Sequence, residues 1–218
     1  MASLLVCAIG GALLWHGTDG LRAVTSEQAR RRAIARAPRV LPVIRLEDQD
    51  GRPFTLEAYR GRAVAVDFIY TQCQSVCKLL SAGFQRIDRG QQAVAADDRL
   101  QLVSISFDPR DTPGHLRAAA SHYRANGATW RFARVSDPRQ LGQLLVAFGI
   151  VVIPDGRGDF QHNAAVHLLD REGRLAAVLD ADASPEEVLR VAGNTTNASE
   201  FHENRRMTAR MKTNRPGP

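Results

Sequence analysis

The sequence predicts an α/β layered domain built on a mixed sheet, and three observations carry that reading. Two apolar runs, 63–70 and 100–107, are long and continuous enough to be strands covered on both faces. Apolar residues return at helical spacing after the first run, and a capped helix start follows the second. Near the C-terminus two further apolar runs flank Asp170-Arg171-Glu172-Gly173, the pattern of an antiparallel hairpin. Strands alternating with helices and followed by a hairpin give a sheet with both parallel and antiparallel neighbours.

Taken in order, residues 21–40 read as an Arg-rich linker. Thr25 to Pro42 is polar and ends in Ala37-Pro38 and Leu41-Pro42. Val43 to Leu46 and Phe54 to Leu56 form a short hairpin turning at Asp50-Gly51. Ala63 to Tyr70 is the first core strand. Cys73 and Cys77 follow it directly, and Leu79, Leu80, Gly83, Phe84 and Ile87 then keep a helical period. Leu100 to Phe107 is the second core strand. Thr112-Pro113 opens a helix, hydroxyl at the cap and proline just inside, which runs to about Asn126-Gly127. Trp130 to Val135 is a third strand, and Asp137-Pro138 caps a helix through Phe148. Ala164 to Leu169 and Leu175 to Leu179 make the hairpin, and Ser184-Pro185-Glu186-Glu187 starts a last helix ending near Gly193. Residues 194–218 have little to bury and read as a disordered tail. A cysteine pair at the end of the first core strand, entering a helix, is the arrangement of the thioredoxin-like fold. Its three layers, mixed sheet and N-terminal hairpin are expected over residues 41–193.

Composition sets the outer limits. The chain has 218 residues, 44% of them hydrophobic and 24% charged, which is globular and long enough to fold without a metal or disulfides to staple it. The net charge of +6 comes largely from the flanks, from Arg30, Arg31, Arg32, Arg36 and Arg39 and from Arg205, Arg206, Arg210 and Arg215. Aromatic residues make up only 6% and none alternate with basic residues, so no base-stacking surface and no nucleic-acid partner are expected. Three cysteines exclude a multi-disulfide framework and a four-cysteine zinc site.

Residues 1–20 read as an apolar leader or membrane anchor. The run from Ser3 to Trp15 is short for a spanning helix and lacks preceding basic residues. Leu4-Leu5-Val6-Cys7 faintly suggests a lipidation site, with Val6 where a small residue is wanted. The arginines that follow would keep that side cytoplasmic under the positive-inside tendency.

The chemistry concentrates at the cysteine pair. A strand-to-helix junction places Cys73 in the loop and Cys77 in the first turn, where unpaired amides and the helix dipole favour anions. At least one thiol is therefore expected to have a lowered pKa. Three residues separate the cysteines, where redox-active thioredoxins have two. That spacing suits two thiolates aimed at one ion more than rapid disulfide exchange. His162, in Gly158-Asp159-Phe160-Gln161-His162-Asn163, is read as lying in a glycine-containing loop just before the Ala164 strand, beside the cysteine loop, and is the candidate third ligand. Two thiolates and an imidazole favour a soft ion, with Cu(I) the natural candidate. His167 reads as a packed strand residue, His115 and His122 as solvated, and Asp108 and Asp111 as turn and cap residues.

From about Leu41 to Gly193 the chain resembles the SCO/SenC family of copper-binding thioredoxin-fold proteins. Phe68-Ile69-Tyr70-Thr71-Gln72-Cys73-Gln74-Ser75-Val76-Cys77 is similar to the family's Cys-x-x-x-Cys segment. Ser106-Phe107-Asp108-Pro109-Arg110-Asp111-Thr112-Pro113 resembles its motif of Asp-Pro followed by Asp-Thr-Pro, and His162 stands where the family's histidine ligand precedes its hairpin. Two positions depart from the pattern. Gln74 and Lys78 replace prolines often found after the cysteines, and Gln161 replaces an Asp that could orient the imidazole.

The resemblance implies a copper metallochaperone, with Cys73, Cys77 and His162 holding Cu(I) and also Cu(II). Its expected partners are the copper-site subunit of cytochrome c oxidase, other copper chaperones and thiol reductants. It further implies a membrane-anchored domain on the periplasmic side. The competing reading is an enzyme, a thiol–disulfide oxidoreductase or peroxidase-like protein with Cys73 and Cys77 as a catalytic redox pair, which has no need of His162.

Overall fold

The two long apolar runs form the centre of a seven-stranded sheet. A computed structural model describes residues 25–73 and 76–195, with residues 6, 9 and 10. Cys7 and most of the apolar leader, and the tail from residue 196, lie outside the described residues. The chain divides into two units, residues 1–38 and 39–218.

In the first unit the expected linker is replaced by a helix, α1 (Ser26–Arg36). The Thr25 hydroxyl accepts from the Gln28 amide at 3.2 Å, and Glu27 pairs with Arg30 and Arg31 at 2.8 and 2.9 Å. Polarity alone suggests a linker here; a cap, an acidic first turn and i,i+3 and i,i+4 pairs make it a helix.

The second unit opens with β1 (Leu46–Asp48) and β2 (Pro53–Phe54), a hairpin whose two strands lie nearer their turn than the apolar pattern predicts. Buried Asp48 decides the register. Its carboxylate accepts from the Asp50 and Arg52 amides at 2.9 Å each, and Gly51 takes the left-handed turn position at φ 76°. β3 (Val64–Ile69), β4 (Gln101–Ser106) and β5 (Trp130–Val135) follow as expected, and β8 (Ala165–Leu169) and β9 (Leu175–Asp180) are the predicted hairpin. The strand order is β2-β1-β5-β4-β3-β8-β9, with β3, β4 and β5 parallel and the outer pairings antiparallel.

Helices cover both faces. α2 (Val76–Gly90) and α3 (Pro113–Tyr123) lie on one, where Phe84 and Tyr123 meet Trp130 at 6.0 Å between ring centroids. α4 (Leu141–Phe148) lies on the other, where Phe148 meets Phe68 at 5.1 Å. Alternation along the strands sends Trp130 and Phe132 one way and Phe68 the other. The Thr112 hydroxyl caps α3, but the helix ends at Arg124 in a left-handed conformation, short of Asn126-Gly127. The Asn126 side chain instead accepts from the Ala128 and Thr129 amides and forms the turn into β5. Asp137 caps a 3-10 turn (Pro138–Gln140) that leads into α4. Ser184 caps the last helix, α5 (185–195).

One element was not foreseen. β6 (Val152–Pro154) and β7 (Phe160–His162) pair antiparallel in a separate small sheet, so His162 sits on a strand and not in a loop. Gly156 and Gly158 take positive φ in its turn, and that glycine-rich turn reads as loop in the sequence.

Phe68 is 1% exposed and joins β3 to α4. Phe68→Ala is expected to cost about 3–5 kcal/mol of unfolding free energy, seen as a lower urea midpoint. A loss under ~1 kcal/mol would mean that this contact does not hold the layers together.

Candidate metal centre

The site forms where parallel strands β3 and β4 end side by side, Ile69 opposite Ser106. In open α/β sheets the carboxyl ends of strands are where ligands are met, because loops fan out there above a fixed base. Beyond β3 runs the loop that carries Cys73, with Cys77 the second residue of α2. Beyond β4 runs the loop 107–112.

Asp111 fastens these two loops together. It is 2% exposed; its carboxylate accepts from the Thr71 amide at 2.9 Å and from the hydroxyls of Thr71 and Ser106. In the sequence Asp111 reads as a turn or cap residue. Its contact with Thr71 spans 40 residues, and only the fold brings the two together. Asp108 does act within its turn, accepting from the Arg110 amide and holding the Arg110 guanidinium at 2.7–3.0 Å.

The β6–β7 arm reaches this base from the far side. The Tyr70 hydroxyl donates to Asp159, and Arg110 donates to the Gly158 carbonyl at 2.7 Å. Phe160 packs on Tyr70 and Phe107, at 5.2 and 5.5 Å between centroids, and Phe107 packs on the His162 ring at 5.0 Å. His162 Nε2 then lies 3.7 Å from Cys77 Sγ, although the residues are 85 apart in sequence.

Cys73 and Cys77 are both buried, and neither is in a disulfide. The Cys73 thiol is near enough to the Cys77 thiol and to the Tyr70 hydroxyl to make both harder to ionise. The fold therefore gathers all three residues singled out in the sequence. A thiolate and an imidazole bound to one d10 ion at about 2.3 and 2.0 Å, with a trigonal or tetrahedral angle, stand roughly 3.5–3.8 Å apart. The observed 3.7 Å matches that span, so Cys77 and His162 are spaced as two donors to one soft ion. Among the described residues no group of three or more His, Cys, Asp and Glu side chains is placed to hold a metal ion as it stands, Cys73, Cys77 and His162 included. Gln74 and Ser75, between the thiols, lie outside the described residues.

The electrostatics correct one expectation. Contact with the Cys73 thiol, followed by burial, pushes the Cys77 thiol well above its ordinary range, and the charge of Asp67 adds to this. The helix N-terminus does not outweigh those effects. Cys77 is thus a protonated thiol in the metal-free reduced protein, a poor nucleophile that a cation would have to deprotonate. Burial pushes His162 below the usual histidine value, leaving it neutral and able to donate a lone pair. Its Nδ1 is buried without a hydrogen-bond partner. A ligating imidazole usually has its second nitrogen oriented by a carboxylate or carbonyl, and Gln161 provides none here.

Asp67 is a further buried group that acts on the Cys77 thiol. It lies on β3 facing α2 and α3, fully buried, with neither carboxylate oxygen in a hydrogen bond. Burial pushes it up to about 7, against weaker opposing pulls from Ser104 and its own amide. A lone Asp in an apolar strand was the signal available in the sequence. Of the other described histidines, only His115 nears the site, its Nδ1 3.6 Å from Asp111 Oδ1. His167 is fully buried against Phe68 and Phe148, whereas His115 and His122 are exposed on α3.

Residues 34–196 match the family model for SCO1/SenC. The chain belongs to the SCO1/SenC family. A Stutzerimonas stutzeri protein named for copper binding is 32% identical over 180 residues, covering 79% of this chain and 83% of its own length. Two solved SCO1/SenC relatives share the fold. A family lipoprotein from Bacillus anthracis superposes with a TM-score of 0.65 at 22% identity, over 73% of this chain and 96% of its own. Bradyrhizobium japonicum ScoI, solved with copper bound, superposes with a TM-score of 0.61 at 24% identity, over 72% and 99%. These SCO1/SenC likenesses support the thioredoxin-like reading of the mixed sheet. No described helix is long and apolar enough to cross a membrane.

Asp67 yields a test of the site's electrostatics. A carboxyl raised from 3.8 to about 7 on folding favours the folded state below pH 4 and loses that contribution as pH rises through 7. Asp67→Asn is therefore expected to be more stable relative to wild type at pH 8 than at pH 4, by up to about 4 kcal/mol. Urea midpoints at the two pH values measure this. Parallel pH profiles for the two proteins would contradict the buried, unpaired carboxylate.

Proposed function

We propose that this chain is a copper metallochaperone that holds one copper ion on Cys73, Cys77 and His162. It would serve assembly of the dinuclear copper site of cytochrome c oxidase. The observation that carries the reading is the approach of His162 Nε2 to Cys77 Sγ at 3.7 Å, with the Cys73 thiol alongside. A disulfide exchanger needs no imidazole at that distance, and a peroxidase needs one activated thiol and not a pair.

Copper is cargo in this account. Binding displaces the thiol protons, and neutral His162 contributes a lone pair without releasing one. Cu(I) is satisfied by two sulfurs; Cu(II), a harder ion, depends more on the nitrogen. Names of the relatives point the same way: copper binding in Stutzerimonas stutzeri, and a bound ion in Bradyrhizobium japonicum ScoI. The lipoprotein from Bacillus anthracis supports a membrane-tethered setting, and for this chain we place the domain on the periplasmic side. The partners would be the copper-site subunit of the oxidase, an upstream copper donor, and a thiol reductant that keeps Cys73 and Cys77 reduced. Thiol reduction of a partner would use the same pair, passing two electrons and two protons to the partner's disulfide as Cys73 and Cys77 oxidise.

Purified under reducing, anaerobic conditions, the protein is expected to bind about one Cu(I) per chain. Cys73→Ala and Cys77→Ala should each abolish tight binding, and diamide oxidation of wild type should do the same. His162→Ala should weaken Cu(II) binding severely and Cu(I) binding only in part. Gln161→Asp, which supplies the missing carboxylate, should strengthen Cu(II) binding by about tenfold. Metal analysis after desalting and spectral titration read all of these. A full copper equivalent on either cysteine variant would contradict the reading. So would His162→Ala with unchanged copper spectra but lost dithiol-reductase activity.

A further inference from the structure

His162 raises a physical problem that its own neighbourhood does not solve. Nothing hydrogen-bonds its buried Nδ1, so the usual means of fixing a ligand imidazole is missing. The strand that carries it belongs to a two-stranded sheet of three residues a side, outside the seven-stranded sheet. Such a small hairpin is marginal alone, so its placement has to be imposed by contacts beyond it.

Those contacts are few and specific. At the base of the arm, the Asn163 side chain accepts from the Val151 amide at 2.7 Å and donates to the Gly149 carbonyl at 2.8 Å. Near the tip, two residues from outside the arm grip it. The buried Tyr70 hydroxyl donates to the Asp159 carboxylate and lies 3.5 Å from the Phe160 carbonyl. Arg110, fixed by its fork-to-fork pairing with Asp108, donates to the Gly158 carbonyl and covers the Phe160 ring at 5.4 Å. Gly158 has φ 94°, and a Cβ there would come within 3.2 Å of Arg110 Nη1, so the close approach depends on glycine. Phe160 and His162, two apart on one strand, present the same face, and both pack on Phe107. Holding Phe160 therefore also sets the direction of His162.

We propose that Tyr70 and Arg110 are positioning residues for the His162 ligand, clamping the β6–β7 arm onto the cysteine and Asp-Pro loops so that Nε2 faces Cys77 before any metal arrives. This rests on the proposed copper site. Tyr70 is the more informative half of the clamp, since it stands three residues before Cys73 and its hydroxyl bonds the arm directly. In place of an Asp next to the histidine, this chain uses Asp159, three residues earlier, through a phenol that belongs to the cysteine loop. The nitrogen donor is thereby set by contacts distant from its ring.

The test uses full-length Tyr70→Phe, which removes only the hydroxyl, Arg110→Met, which removes the fork but keeps an aliphatic stem, and Asp159→Asn, which keeps an acceptor oxygen. In the reduced, metal-free protein, amide hydrogen exchange of residues 152–162 should rise about tenfold in Tyr70→Phe and Arg110→Met, with exchange in β3 and β4 unchanged. Cu(II) titration followed by electron paramagnetic resonance should show weaker binding, by about tenfold, with reduced nitrogen coupling in both variants. Cu(I) affinity should stay within about twofold, and Asp159→Asn should remain near wild type. Wild-type exchange and wild-type Cu(II) spectra in both Tyr70→Phe and Arg110→Met would overturn the clamp while leaving the copper site standing. An equal loss of Cu(I) and Cu(II) with a lowered Tm would also overturn it, as that marks a folding role. If His162→Ala itself leaves Cu(II) binding unchanged, the copper site fails and takes the clamp with it.

Discussion

A single buried carboxylate sets the geometry on which everything at this site depends. Asp111 takes hydrogen bonds from the Thr71 amide, the Thr71 hydroxyl and the Ser106 hydroxyl, and so locks the loop after β3 to the loop after β4. A carboxylate kept from water is tolerated only when its lone pairs are filled, and each filled pair is a fixed direction in space. The same loops carry Cys73, two residues beyond Thr71, and Arg110, the neighbour of Asp111. Thiols and arm are thus referred to one rigid point above the ends of two central parallel strands.

Polar satisfaction is uneven around that point. Asp111 and Asp108 are buried and well partnered, whereas Asp67 and the His162 Nδ1 are buried and are not. The satisfied groups are structural clasps; the unsatisfied ones flank the thiols. An unpartnered buried carboxyl beside a Cys77 thiol that is hard to ionise makes a site that holds its protons until a cation displaces them. That favours cargo binding over fast nucleophilic attack.

Much of the fold could be read from the chain because its signals are local. The runs at 63–70 and 100–107 have no other structure open to them, and Thr112-Pro113 marks a helix start by cap chemistry alone. What could not be read depends on partners distant in sequence or on competing local cues. The Arg-rich segment looked like a linker because its helix is stabilised by ion pairs and a cap more than by an apolar face. The β6–β7 arm was hidden behind glycines and Pro154, although its pairing places Val152 opposite His162. At the site, residue types and spacing pointed to Cys73, Cys77 and His162, and the fold brings all three together. Asp111, Tyr70 and Arg110 were not legible as site residues, since their partners lie 40 to 89 residues away.

The central claim is that two strand-end thiols and an arm-borne imidazole share one ion. X-ray absorption at the copper edge tests it most directly. In the Cu(II)-loaded protein the account predicts an inner shell with two sulfur scatterers and at least one imidazole nitrogen, the nitrogen disappearing in His162→Ala. A shell without sulfur, or one whose nitrogen persists unchanged in that variant, would contradict it.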